Sequence, residues 1–251
     1  AMLNESTKLS TNEELSDRLQ KLGSSVSLGS GNNSATLNVR SLTDNLRPTL
    51  AIASERLLKP AFAEDDFGRV KAQTLQAIAQ NKTQAESTAQ LVFQKLVLGS
   101  ENTIAHLDIG TERSIEKLML KDVEDFYTRH YSPSSATLVI VSDLPKEKIL
   151  TELSVFGDWN GRAREPKTIE SSPEINETRI FLVDKPNAAQ SEIRIGGKGP
   201  HYDATGDYYR AGLANYVLGG AFNSRINLNL REDKGYTYGA RLQFVGYKDY
   251  G

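Results

Sequence analysis

Apolar residues recur along the first part of the chain in two different rhythms. Leu15, Leu19 and Leu22 share a helical face, opened by the capping-box pattern Ser10-Thr11-Asn12-Glu13 and closed at Gly23. From residue 24 to 41 the period drops to two: Val26 and Leu28, then after a Gly/Asn turn Ala35, Leu37 and Val39, alternate with polar residues, which predicts a hairpin. Helical spacing returns over 50–58 and through the long stretch 65–98, and residues 114–131 predict two short helices. The β-rich run 136–141, closed by Asp143-Leu144-Pro145, predicts a buried strand, and a helix from Lys146 to about Trp159 follows. Residues 1–160 therefore read as one α+β domain, with layers of helices packed on antiparallel sheets.

Residues 161–176 shift to Gly, Arg, Glu, Pro, Ser and Lys without apolar periodicity and read as a linker. Beyond it, 179–184, 191–195 and 238–247 predict strands, while 208–218 and 223–230 predict helices. The span 177–251 is the start of a second α+β domain, and ending on a strand with a small core makes it look truncated.

Composition narrows the chemistry. Lys and Arg total 30 against 32 Asp and Glu, a net charge of -2, so neither nucleic acid nor an anionic membrane surface is an expected partner. No apolar run reaches the roughly 18 residues of a membrane span, so no membrane insertion is expected. With no cysteine, disulfides, thiolate metal sites and cysteine catalysis are excluded. The three histidines, His106, His130 and His201, lie far apart and lack the helical spacing that places two imidazoles on one face. Ala1 before Met2 reads as a cloning residue, and the chain as a piece of a longer protein.

Most other candidates read as structural. The glycines of 195–200 lack Walker spacing and predict a strand-ending turn. Neighbouring acids in Asp65-Asp66 and Glu232-Asp233 do not face each other on a helix, and Ser24-Ser25 and Ser134-Ser135 have no neighbouring base. The informative segment is 218–239: a helix ends at Gly219-Gly220, a second helix turns Ile226 and Leu230 inward, and Gly235 leads into a strand. Arg231 and Tyr238 can then converge on one cleft as donors for a peptide carbonyl or an oxyanion. The simpler physical reading, in which Arg231 caps helix carbonyls and Tyr238 packs, stays open beside it.

Those residues carry a resemblance. The run from Leu218-Gly219-Gly220 through Ser224-Arg225 and Leu230-Arg231-Glu232 to Tyr238 resembles the C-terminal signature of the pitrilysin/insulinase family of zinc metallopeptidases, the inverzincins, whose catalytic half bears H-x-x-E-H. Residues 121–133 with 136–141, and residues 2–7 with 14–23, are similar to further stretches of the same family. The resemblance covers nearly the whole chain. It implies tandem α+β domains of the mitochondrial-processing-peptidase-like kind, in which two halves close around an extended peptide. It also implies that Arg231 and Tyr238, seven residues apart, bind substrate in the non-metal half.

Aligned on residues 2–7, the second zinc histidine falls at Ala1 and the third ligand at Ala77, while neighbouring Glu86 lies too far along the helix to substitute. Three protein ligands are needed for a catalytic zinc. The expectation is therefore a fragment with no metal and no catalytic residues of its own, inactive alone, in which Arg231 and Tyr238 bind substrate. The implied partners are a metal-bearing N-terminal half, in the same chain or a separate subunit, and a peptide; zinc belongs to the complete enzyme. The alternatives are a non-catalytic structural or assembly subunit of the same fold and a peptide-binding module. The expected location is periplasmic or secreted.

Overall fold

The chain is described from a computed structural model that covers residues 1–31, 34–100, 102, 105–106, 108–162, 174–247 and 251. Contacts divide it into two compact units, residues 1–88 with 106–168 and residues 89–105 with 169–251. Most of the linker read at 161–176 falls on 163–173, outside the described residues.

In the first unit, helix α1 (Asn12–Lys21) starts one residue later than the sequence pattern suggests. The Ser10 carbonyl accepts from the Thr7 N–H at 2.9 Å, so the cap passes to Thr11, whose hydroxyl accepts from Glu14 N while Glu14 Oε2 accepts from Thr11 N. Strands β1 (Ser25–Ser30) and β2 (Ala35–Arg40) form the predicted antiparallel hairpin, with Val26 opposite Val39 and Leu28 opposite Leu37. Helix α2 (Leu46–Leu58) closes the core: Leu15, Leu19, Val26, Ile52 and Ala53 are buried together, with Leu37, Val39 and Phe156 against them. Each fully buried leucine or isoleucine contributes about 1.5–3 kcal/mol.

A polar layer fastens the N-terminal segment to this core. Glu55, buried on α2, accepts the Thr7 hydroxyl at 2.6 Å and pairs with Arg18 at 3.2 Å. Its neighbour Arg56 donates to Val26 O at 2.6 Å and to Asn12 Oδ1 at 3.3 Å. On α3 (Glu64–Thr83), Arg69 pairs with both Glu5 and Asp66, and Asp66 accepts from Ser6 N. The buried Glu55 carboxylate is thus both hydrogen-bonded and ion-paired, and the layer ties the N-terminal segment to α2 and α3.

The stretch 65–98 is not one helix. It breaks at Gln84, which is extended (ψ 125°), before α4 (Ala85–Leu98). The two short helices expected over 114–131 are α5 (Glu112–Lys117) and α6 (Leu120–His130). Lys71 donates to the carbonyls of Glu116 and Leu118, satisfying the C-terminal end of α5 from α3. Tyr127 of α6 donates to Leu57 O at 2.6 Å and stacks on Tyr131. Helix α7 (Lys146–Glu152) runs on as a 3₁₀ turn to Phe156.

In the second unit, Val97, Leu98 and Ala105 form a small buried cluster with Phe93 beside it. Helix α8 (Asp207–Asn215) continues as a π turn through Tyr216–Gly220, and the short α9 (Arg225–Asn227) widens into a second π turn, Leu228–Asp233. The strands expected at 136–141, 179–184, 191–195 and 238–247 are not formed: among the described residues β1 and β2 make the one sheet, with an isolated bridge between Thr7 and Pro60. A strand needs a continuous ladder to a neighbouring strand, and none of these runs has one among the described residues; 238–247 makes only single backbone bonds, such as Tyr202 N to Tyr247 O at 3.0 Å. Their apolar side chains face outward instead, as at Val141 (97% exposed) and Leu182 (96%). The fold is α+β and rich in helix, with one small antiparallel sheet among the described residues.

Candidate functional site

The segment 215–244 builds its geometry from close backbone approaches. Leu242 N donates to Gly219 O at 3.0 Å, and the Asn215 amide donates to Leu242 O at 2.7 Å. A Cβ at Gly219 would stand 2.5 Å from Leu242 Cβ and 2.8 Å from Leu242 N, so only glycine lets the two backbones meet. The stretch expected as the strand 238–247 is thus docked on the end of α8, with Tyr208 Oη donating to Phe244 O. Gly235, at φ 63°, ends the second π turn, where Tyr236 N donates back to Leu230 O.

Arg231 sits in that π turn. Its guanidinium lies 4.8 Å from the centre of the Phe222 ring and its Nε 3.4 Å from Glu232 Oε1, and the side chain is 35% exposed. A cation over an aromatic face is held by the ring quadrupole, worth about 0.5–1 kcal/mol when exposed. Tyr238 is 86% exposed. Thr237 brackets it, its hydroxyl donating to Gly239 O and accepting from Gly239 N, so the backbone turns around the tyrosine. Neither side chain hydrogen-bonds the other among the described residues. Among the described residues Arg231 pairs with Glu232 and lies on Phe222, and Tyr238 is exposed.

Two contributors escaped the sequence reading. Phe222 is the platform under Arg231, and Asn227, 4% exposed, joins the loop to the segment after Tyr238. Its amide donates to Phe222 O at 2.6 Å and its carbonyl accepts from Ala240 N at 2.9 Å. The available signal was a polar Asn227 adjoining Ile226 on the helix face.

The remaining candidates are dispersed. His106, His130 and His201 are exposed, and His130 lies on the Phe126 ring at 4.6 Å. Asp66 is engaged with Arg69. Gly196 approaches Phe93 so closely that a Cβ would meet the ring at 2.9 Å, a packing role for that glycine run. Ala77 stands exposed on α3 with only a methyl to offer, and Glu86 lies beyond the Gln84 break, on α4 rather than on the same helix. No group of three His, Asp or Glu among the described residues comes together to hold a metal. A zinc site does not fit this set of side chains.

A family model described as the peptidase M16 inactive domain matches residues 117–251, more than half of the chain. The chain belongs to this peptidase M16 inactive-domain family. A protein of Helicobacter pylori named a non-peptidase homolog is 25% identical over 221 residues, covering 83% of this chain and 50% of that protein. An uncharacterised zinc protease of Rickettsia bellii is 22% identical over 247 residues, covering 98% and 58%. The crystal structure of a peptidase M16 inactive domain from Pseudomonas fluorescens superposes with a TM-score of 0.83 at 25% identity, over 100% of this chain and 60% of that one. The chain spans about half to three fifths of the length of these relatives. The Pseudomonas superposition covers all three ordered stretches of the resemblance, and the Arg231 and Tyr238 segment lies within the M16 match.

Proposed function

We propose that the chain is the substrate-binding, non-metal half of a zinc-dependent endopeptidase that degrades extended peptides or small proteins. Alone it is inactive; a metal-bearing half, in the same chain or a separate subunit, completes it. The observation that carries this reading is the pair of outward-facing donors on one unit, the Arg231 guanidinium held on Phe222 and the Tyr238 phenol turned out by Thr237. An extended peptide presents unpaired backbone carbonyls at regular intervals; the Tyr238 phenol and the guanidinium nitrogens of Arg231 beyond the Nε paired with Glu232 are donors suited to them. Metal chemistry belongs to the other half. The residues here bind the peptide and orient it.

The test is titration of a labelled, unstructured peptide into the full chain. Each hydrogen bond from a charged or phenolic donor contributes about 1–3 kcal/mol, so Arg231→Ala and Tyr238→Phe are each expected to weaken binding roughly tenfold or more. Binding that ignores both substitutions removes the assignment. It would favour instead a peptide-binding module that recognises an extended segment without these two donors. The second reading is a non-catalytic assembly subunit, supported by the likeness to a protein named a non-peptidase homolog; no peptide binding at all, with a stable complex to a partner subunit, would favour it.

A further inference from the structure

We infer that Asn227 is the positioning residue of this site, setting Arg231 and Tyr238 together through one buried amide; the inference rests on the substrate-binding reading above. Its two hydrogen bonds run in opposite directions along the chain. The Nδ2 donates to Phe222 O, the residue whose ring lies under the Arg231 guanidinium, and the Oδ1 accepts from Ala240 N, two residues beyond Tyr238. One side chain thus ties the platform of one donor to the backbone that carries the other.

Three features make this more than local packing. First, Asn227 is buried, and a buried amide left with one bond unmade is costly, so both partners are held in register. Second, the π turn begins directly after it: Lys234 N donates to Asn229 O, five residues back, and the widened turn sets the direction in which Arg231 leaves the helix. Third, Leu242 is fixed separately by Gly219 and Asn215, so the stretch from Gly235 to Leu242 has one end at the π turn, one end at α8, and Asn227 as the tie between them. Without that tie the Thr237 turn and Tyr238 are held only by the bonds at Gly235–Tyr236 and Leu242, and the Phe222 carbonyl loses its bond to the Asn227 amide.

The test uses the full chain and a readout that does not depend on peptide binding. The Arg231 Nε–H resonance carries a ring-current shift from Phe222, identified as the shift that disappears in Phe222→Leu. Asn227→Ala is expected to abolish that shift and to weaken labelled-peptide binding roughly tenfold. Asn227→Asp keeps an acceptor for Ala240 N but offers no donor to Phe222 O. It is expected to lose the Arg231 shift while keeping Tyr238→Phe as damaging as in the parent. Asn227→Asp also serves if Asn227→Ala does not fold. Retention of the ring-current shift in the folded variants overturns the inference, as does loss of the shift with peptide affinity unchanged. If the parent chain binds no peptide, the substrate-binding reading fails with it, while the spectrum still decides whether Asn227 places Arg231.

Discussion

The charge on Glu55 is the residue-scale feature with the clearest consequence. Burial opposes ionisation of this carboxyl, but hydrogen bonds from Thr7, Ser10 and Arg18, with the Arg18 charge, outweigh it and hold the group below its ordinary value of 4.5. A carboxyl depressed in the folded state adds stability that is fully present above its unfolded value and is lost as pH falls through the folded one. Asp66 shifts the same way: burial raises it, and bonds from Ser6 and Arg69 bring it below its usual value. Acid unfolding should therefore steepen below about pH 4.5. Glu55→Gln is expected to lose about 1–3 kcal/mol at neutral pH and to flatten that acid limb, as measured by urea unfolding across the range; an unchanged acid limb would show that this pair does not hold the N-terminal segment. On α6, Tyr127→Phe removes the bond to Leu57 O and should cost about 1 kcal/mol in the same assay.

At the scale of elements, packing decides more than propensity. Leu15→Ala opens a cavity between α1, the hairpin and α2 and should cost about 2–5 kcal/mol. Gly219→Ala forces α8 and the 238–247 segment apart and should cost about 1–3 kcal/mol, detected as a fall in thermal midpoint with loss of amide protection at Leu242. The hairpin and the helices were legible because their periods are local: Val26, Leu28, Leu37 and Val39 alternate whatever surrounds them. The Gln84 break was not, because no Gly or Pro marks it. Nor were the π turns, since a five-residue hydrogen bond leaves the apolar pattern almost unaltered. The run 136–141 reads as a strand by composition, but pairing is a long-range property that no segment carries by itself. At the site, Arg231 and Tyr238 were reached through a resemblance, whereas Phe222 and Asn227 act through a ring face and an amide whose partners are set only by the fold.

At the scale of the whole molecule, the chain has the fold of the M16 inactive domain, and among its described residues no group of three His, Asp or Glu comes together. Ala77 occupies an exposed turn of α3, and the acids Glu5 and Asp66 are taken up by Arg69, so added zinc should neither raise the melting temperature nor bind at micromolar concentration. The measurement that bears most directly on the proposed role is hydrolysis of an unstructured peptide by the chain alone and after mixing with the metal-bearing half and zinc. The account predicts no cleavage by the chain alone, cleavage by the mixture, and a roughly hundredfold loss in the mixture carrying Tyr238→Phe with zinc content unchanged. Cleavage by the chain alone, or full turnover with both Arg231 and Tyr238 replaced, would contradict it.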